Sequence, residues 1–283
     1  MQKQSKLLIA LGAVFLLFGG TLAQAHETKT ITGLKTPESA VAGKSGLAYV
    51  SEINEFGKDG DGQISVIDKD GKVTVFAIGM DDPKGLAMIG QDLYVADKAG
   101  ILKVTPDGKW QVFAAVAAFP TTPQFLNDLE ADKQGNLYVS DSGDLKKGGA
   151  IYRISKAGKV TLITDGKKDA RVLAPNGLLM DKSGEMLEVD FSSGILYRLN
   201  IASGEMTQIA EGFGGGDGIV RTKGLLYVSD WNTGKVFSVN KDGKVELVKE
   251  GLKSAADIAL SADGKHLLVP DMKAGELVIL PLH

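Results

Sequence analysis

The stretch Leu226-Tyr227-Val228-Ser229-Asp230 decides the fold, because the chain writes variants of it six times. The earlier copies are Leu47-Ala48-Tyr49-Val50-Ser51-Glu52, Leu93-Tyr94-Val95-Ala96-Asp97, Leu137-Tyr138-Val139-Ser140-Asp141 and Met186-Leu187-Glu188-Val189-Asp190. The last is Leu267-Leu268-Val269-Pro270-Asp271. Each reads as a buried strand ending in an acid, and the acids stand 45, 44, 49, 40 and 41 residues apart. Further short apolar runs follow each acid; after Asp230 they occupy 235–239 and 244–248, separated by the turn Lys241-Asp242-Gly243. Four short strands in a repeat of about 40–50 residues is the pattern of a β-propeller blade. No repeat holds a long apolar segment of period 3.6, which argues against alternating α/β units.

The ends of the chain sharpen this reading. The sixth repeat stops after 276–280, its third strand. The segment Thr28-Lys29-Thr30-Ile31-Thr32-Gly33-Leu34 has the character of the fourth strands at 72–76 and 205–209. It is expected to supply the missing outer strand and so cover an open edge. The expected architecture is all-β, a six-bladed propeller closed by its N-terminal strand, in a single domain over 26–283.

Residues 1–25 read as a signal peptide. Lys3 and Lys6 form a positive start, 7–18 are small and apolar, Gly19-Gly20 break the run, and Ala23-Gln24-Ala25 fits a cleavage site. The expected location is periplasmic or secreted, with no membrane attachment after cleavage. Composition removes other classes. The 283 residues carry a net charge of −3, so no basic field awaits nucleic acid. Cysteine is absent and only three histidines are present, which disfavours thiol chemistry and a histidine-built zinc site. The 36 glycines have no collagen period and punctuate the apolar runs as turns.

About 13 to 15 residues before each strand-ending acid lies the first strand of the blade, which lines a propeller's channel. Aligning the repeats places Glu38, Lys84, Asn127, Asn176, Asp217 and Ala256 at one equivalent position. Four of these six are carboxylates or carboxamides converging on one axis. Glu38, Asn127, Asn176 and Asp217 suit a hard divalent cation such as Ca²⁺, which takes six to eight oxygens. A water-filled polar channel bridging the blades is the other reading of the same ring.

Here the chain resembles the senescence-marker-protein/gluconolactonase/luciferin-regenerating-enzyme family, the regucalcin-like six-bladed propellers. The matching stretches are Phe125-Leu126-Asn127-Asp128, Ala174-Pro175-Asn176-Gly177-Leu178 and Gly216-Asp217-Gly218-Ile219. The resemblance implies one catalytic divalent ion held by Glu38, Asn127, Asn176 and Asp217, with Asp217 as base or nucleophile. It implies hydrolysis of lactones or, in phosphotriesterase relatives, organophosphates. Calcium, or another divalent cation, would polarise the carbonyl, and Asp217 or Glu38 would accept a proton from attacking water.

Sugar-lactonase members typically carry an arginine where this chain has Phe125, which points away from a gluconate-like substrate. The connection 114–126 is long and apolar, with Phe119, Pro120 and Pro123, and the residues after the strand-ending acids bring Ile53, Phe191 and Trp231 towards the same mouth. Lys84, Phe125, Phe191 and Trp231 are therefore the expected contacts to an apolar or aromatic lactone or ester. The six strand-ending acids are expected to cap turns. Glu188 stands where other repeats have valine, facing a partner such as Lys84 or marking a local slip. The expected function is an exported calcium-dependent hydrolase of lactones or related esters, acting as a monomer. The alternative is a non-catalytic propeller that binds a small ligand or a protein partner on the same face. A strictosidine-synthase-like condensation on a metal-free propeller is disfavoured because the axial oxygens are kept.

Overall fold

The computed structural model describes residues 27–43, 48–181 and 184–282; the expected signal peptide at 1–25 lies outside them. They form 24 strands and one 3₁₀ turn, Val116–Ala118. The first strand, β1 (Lys29–Thr32), waits for the end of the chain. Blade one is β2 (Pro37–Ala42), β3 (Ala48–Glu52), β4 (Gly62–Ile67) and β5 (Val73–Met80). Blade two is β6 (Leu86–Ile89), β7 (Asp92–Asp97), β8 (Gly100–Val104) and β9 (Trp110–Ala115). Blade three is β10 (Leu126–Ala131), β11 (Leu137–Asp141), β12 (Ala150–Ile154) and β13 (Val160–Asp165). Blade four is β14 (Pro175–Met180), β15 (Met186–Asp190), β16 (Ile195–Leu199) and β17 (Met206–Glu211). Blade five is β18 (Gly216–Thr222), β19 (Leu225–Asp230), β20 (Lys235–Val239) and β21 (Val245–Lys249). Blade six is β22 (Ala259–Leu260), β23 (His266–Asp271) and β24 (Glu276–Pro281), with β1 pairing antiparallel to β24 as its outer strand. The ring closes as the sequence led us to expect.

Each blade buries both faces, one against each neighbour, so the core is a set of separate apolar wedges. Ile64, Leu86 and Val95 fill the wedge between blades one and two. Tyr94, Leu129 and Tyr152 fill the next, and Tyr138, Leu178 and Tyr197 the one between blades three and four. Ile31, Val50 and Leu277 lock the last blade to the first.

The strand-ending acids tie each blade to the chain entering it. Asp141 accepts the N–H groups of Gln124, Phe125 and Gly143. Asp190 accepts those of Leu173, Ala174 and Ser193, and Asp230 those of Gly215, Asn232 and Thr233. Asp271 accepts from Lys253 and Ser254, Asp97 from Asp81 and Ala99, and Glu52 from Lys35. These acids are latches for the loops that lead to the axis, which is the turn-capping role expected of them.

At the axis the first strands approach backbone to backbone. A Cβ on Gly177 would lie 2.1 Å from the Asp217 carbonyl oxygen, and one on Gly218 2.3 Å from the Ile258 nitrogen. Glycine at 177 and 218 is therefore a packing requirement.

Candidate functional site

The pairing of first and second strands shifts register between Pro37 and Ala40, Leu126 and Leu129, Pro175 and Leu178, and Gly216 and Ile219. These irregularities fall in blades one, three, four and five. They contain Glu38, Asn127, Asn176 and Asp217, the four expected oxygen donors. A bulge leaves its extra residue outside the ladder and re-aims the side chain. Behind it, the serine of the recurring strand motif takes up the freed backbone donor. Ser51, Ser140 and Ser229 hydroxyls accept the N–H groups of Ser39, Asp128 and Gly218 at 3.0, 2.9 and 2.8 Å.

All eight expected site residues line one cavity of 410 Å³ at the channel mouth: Glu38, Lys84, Phe125, Asn127, Asn176, Phe191, Asp217 and Trp231. Ile53 joins them. Phe56, Leu145, Asn232 and Met272 also line it and were not foreseen. Met272 follows the acid Asp271 just as Ile53, Phe191 and Trp231 follow theirs, so the same positional rule applied to blade six finds it. Phe56 and Leu145 sit in long loops with no equivalent in other repeats. Leu145 holds a left-handed φ of 67° that a branched side chain rarely adopts, and it stands 37% exposed at the lip. Phe119 does not reach the mouth; it is buried in the wedge between blades two and three, edge-on to Tyr152 at 5.1 Å.

The floor of the cavity is polar. Glu38, Asn127, Asn176 and Asp217 are each at most 4% exposed. Each also carries a buried oxygen without a hydrogen-bond partner: Glu38 Oε2, Asn127 Oδ1, Asn176 Oδ1 and Asp217 Oδ1. Orphaned buried acceptors cost about 1–3 kcal/mol each, so four in one place call for a ligand. The amides are oriented to present oxygen. Asn127 Nδ2 donates to Ser142 Oγ at 3.0 Å, and that hydroxyl donates to the Pro175 carbonyl at 2.8 Å. The Asn176 side chain is hydrogen bonded to Asp217. Two carboxylates and two amides that turn unpartnered oxygens to one cavity fit a hard divalent cation. Among the described residues no group of three or more His, Cys, Asp or Glu forms a metal cluster, so any site here depends on the amides.

Burial pushes the Glu38 carboxyl well above the usual carboxylate range, the Asp217 charge raises it further, and Lys84 pulls it back. Burial likewise raises Asp217, and Asp257 and Asp128 add to the shift while the Asn176 hydrogen bond opposes it. One residue further along the first strands, Asp128 and Asp257 are buried but partnered. Asp128 accepts the N–H groups of Leu129 and Leu178, each at 2.6 Å, and Asp257 accepts the Ser39 hydroxyl at 2.5 Å. The bonds to Leu178 and from Ser39 run between blades. Burial still lifts Asp128 to about 6 and Glu130, deeper in the channel, to about 7.

Above the floor the wall is apolar. Phe191 and Trp231 lie 6.1 Å apart in a tilted pair, and the Trp231 indole N–H donates to Met272 Sδ at 3.3 Å. Lys84 is 3% exposed and its ammonium lies 4.5 Å from the centre of the Phe125 ring. Burial pushes that ammonium's pKa down and Glu38 pushes it up.

Glu188 is elsewhere. It pairs in register with Leu178 and Tyr197, so the strand does not slip. Both its oxygens are buried without a partner, in the wedge between blades three and four, and Lys84 is not its counter-ion. Burial and the neighbouring Asp190 charge hold its carboxyl well above the usual range.

Comparison with known proteins agrees with this architecture. A regucalcin from Agrobacterium tumefaciens str. C58, described as a calcium-binding protein, superposes with a TM-score of 0.70 at 21% identity, over 88% of this chain and 90% of that one. A gluconolactonase from Xanthomonas campestris gives 0.71 at 17% identity, over 90% and 89%. Virginiamycin B lyase from Staphylococcus aureus gives 0.64 at 17% identity, over 91% and 100%. At these identities the likeness speaks for the fold. In sequence, Protein STRICTOSIDINE SYNTHASE-LIKE 3 of Arabidopsis thaliana is 30% identical over 105 residues. That match spans 37% of this chain and only a quarter (25%) of the plant protein's length. Residues 78–187, a segment that carries Lys84, Phe125, Asn127 and Asn176, match the family model of the SMP-30/Gluconolactonase/LRE-like region.

Proposed function

We propose that the chain is a lactonase-like hydrolase whose site holds a divalent cation, calcium foremost, on Glu38, Asn127, Asn176 and Asp217. The observation that carries this is the set of four buried, unpartnered oxygens on the floor of one cavity. The family match over 78–187 supports the hydrolase class. A cation bound there supplies Lewis-acid polarisation of an ester carbonyl. The residues divide the remaining work by their surroundings. Lys84 beside Glu38 lowers its proton affinity, whereas the charged neighbours of Asp217 are the acids Asp257, Asp128 and Asp230. On this asymmetry we assign Asp217 as the base and Glu38 as the anchor. Asp217 takes the proton as a water oxygen adds to the carbonyl carbon, then returns it to the departing alkoxide as the C–O bond breaks.

The aromatic wall of Phe125, Phe191 and Trp231 selects an apolar or aromatic lactone or ester, which the desolvated cavity holds by area burial and ring contacts. In this proposal the protein works as a monomer in the periplasm or outside the cell, the compartment implied by the signal peptide expected at 1–25, where calcium is plentiful. A panel of lactones, aryl esters and phosphotriesters, each assayed with calcium and with chelator, tests the reading. Calcium-dependent turnover of an apolar lactone or ester is expected. Activity unchanged in Asp217→Ala would remove Asp217 from the chemistry.

A further inference from the structure

The first-strand ring contains a fifth functional group, the Lys84 ammonium, whose placement differs from that of an ordinary structural lysine. It is 3% exposed, in a cavity whose wall is largely aromatic. Taking an ammonium out of water is costly unless it is paired and its donors are used. Among the described residues no carboxylate lies within ion-pair distance of it, and its only hydrogen bond is to the Asp82 carbonyl oxygen at 3.0 Å. An ammonium has three donors. The face of Phe125, 4.5 Å away, attracts the charge without consuming a directed N–H. Two donors therefore remain beside the orphaned acceptors of the floor. Phe125 does not leave the mouth without a cation: the neighbouring blade lays one on its ring.

We propose that Lys84 binds a carboxylate oxygen of the ligand, so that this cavity recognises apolar or aromatic carboxylates. This deepens the hydrolase reading and rests on it for its biological ligand. Opening a cyclic ester with water yields a hydroxy acid, and its ionisation releases a proton and leaves a carboxylate at the former carbonyl. Such a product has an apolar body for the wall of Phe191 and Trp231 and a charge for Lys84. Lys84 then acts as a specificity residue that also sets product retention.

The test is calorimetric titration at pH 7 with two probes of equal shape, 3-phenylpropionate and 3-phenylpropionamide, in saturating calcium. The unaltered protein is expected to bind the carboxylate at least tenfold more tightly than the amide. Lys84→Met is expected to abolish that preference while keeping amide affinity within about twofold, and Lys84→Arg to retain most of it. Equal affinity for the two probes in the unaltered protein overturns the proposal, whatever the variants do. A preference that persists in Lys84→Met also overturns it, because the cation on the floor would then be holding the carboxylate. Loss of both affinities together in Lys84→Met assigns the lysine a structural role and overturns it too. Binding does not require turnover. A carboxylate preference in a protein inert towards the whole ester panel would sink the hydrolase reading alone.

Discussion

Two sets of buried acids occupy the upper half of this propeller, and they differ in what surrounds their oxygens. Asp141, Asp190, Asp230 and Asp271, at the ends of the second strands, each receive two or more backbone N–H groups from the loops beside them. Glu38 and Asp217, on the first strands, are as buried yet each keeps an oxygen with no donor. The folded chain satisfies the first set with its own backbone, so those acids are structure. It leaves the second set, with the amide oxygens of Asn127 and Asn176, facing a common cavity. Burial alone therefore does not distinguish a site from a scaffold; several unpartnered oxygens gathered at one cavity do.

Removing acids from each set should break the comparison in opposite directions. The largest effect is expected for Asp217→Ala: turnover of any lactone or ester substrate falls by about 10²–10⁴-fold. Thermal melting in the absence of calcium should show no loss of stability, because a buried and repelled charge has gone. Asp141→Ala should do the reverse. It strips the N–H groups of Gln124, Phe125 and Gly143 of their acceptor and is expected to cost about 2–4 kcal/mol in denaturant unfolding. A variant that retained its melting temperature would show that the latch is dispensable.

Glu188 sharpens the same rule at a smaller scale, since it is an orphaned acid far from the cavity. Glu188→Val restores the residue type that the other repeats carry at this position. It should stabilise the fold by about 1–3 kcal/mol without changing activity. Its folded pKa is raised by burial, so the folded state binds a proton that the unfolded state has released. Stability is then fullest below the usual carboxylate range and falls as pH rises through the raised value. Glu188→Gln should flatten that part of a melting-temperature profile. A profile indistinguishable from that of the parent would show that Glu188 titrates alike in the folded and unfolded states.

How much of this the sequence disclosed follows from the repeat. A position that recurs once per blade is constrained by the ring, so the six axial residues and the latch acids align from the amino-acid spacing alone. The same regularity placed Ile53, Phe191 and Trp231, and it would have placed Met272. What the repeat does not encode was not legible. The bulges that turn Glu38, Asn127, Asn176 and Asp217 into the cavity are backbone events with no signature in the residue spacing. The orientation of the Asn127 amide depends on Ser142, which lies outside the recurring motif. Lys84 and Phe125 come from different blades, so their contact has no local signature. Phe119 was expected at the mouth on its apolar setting, but Tyr152 offered it a place in the core.

The most direct test of the central claim is a calcium titration followed by thermal melting, on the parent and on Asn176→Ala. Four orphaned oxygens that form a cation site predict a calcium-dependent rise in the parent's melting temperature, because a ligand that binds only the folded state stabilises it by mass action. The same titration should move Asn176→Ala far less. A parent whose melting temperature is unmoved by millimolar calcium, or a variant that rises as far as the parent, would contradict the account.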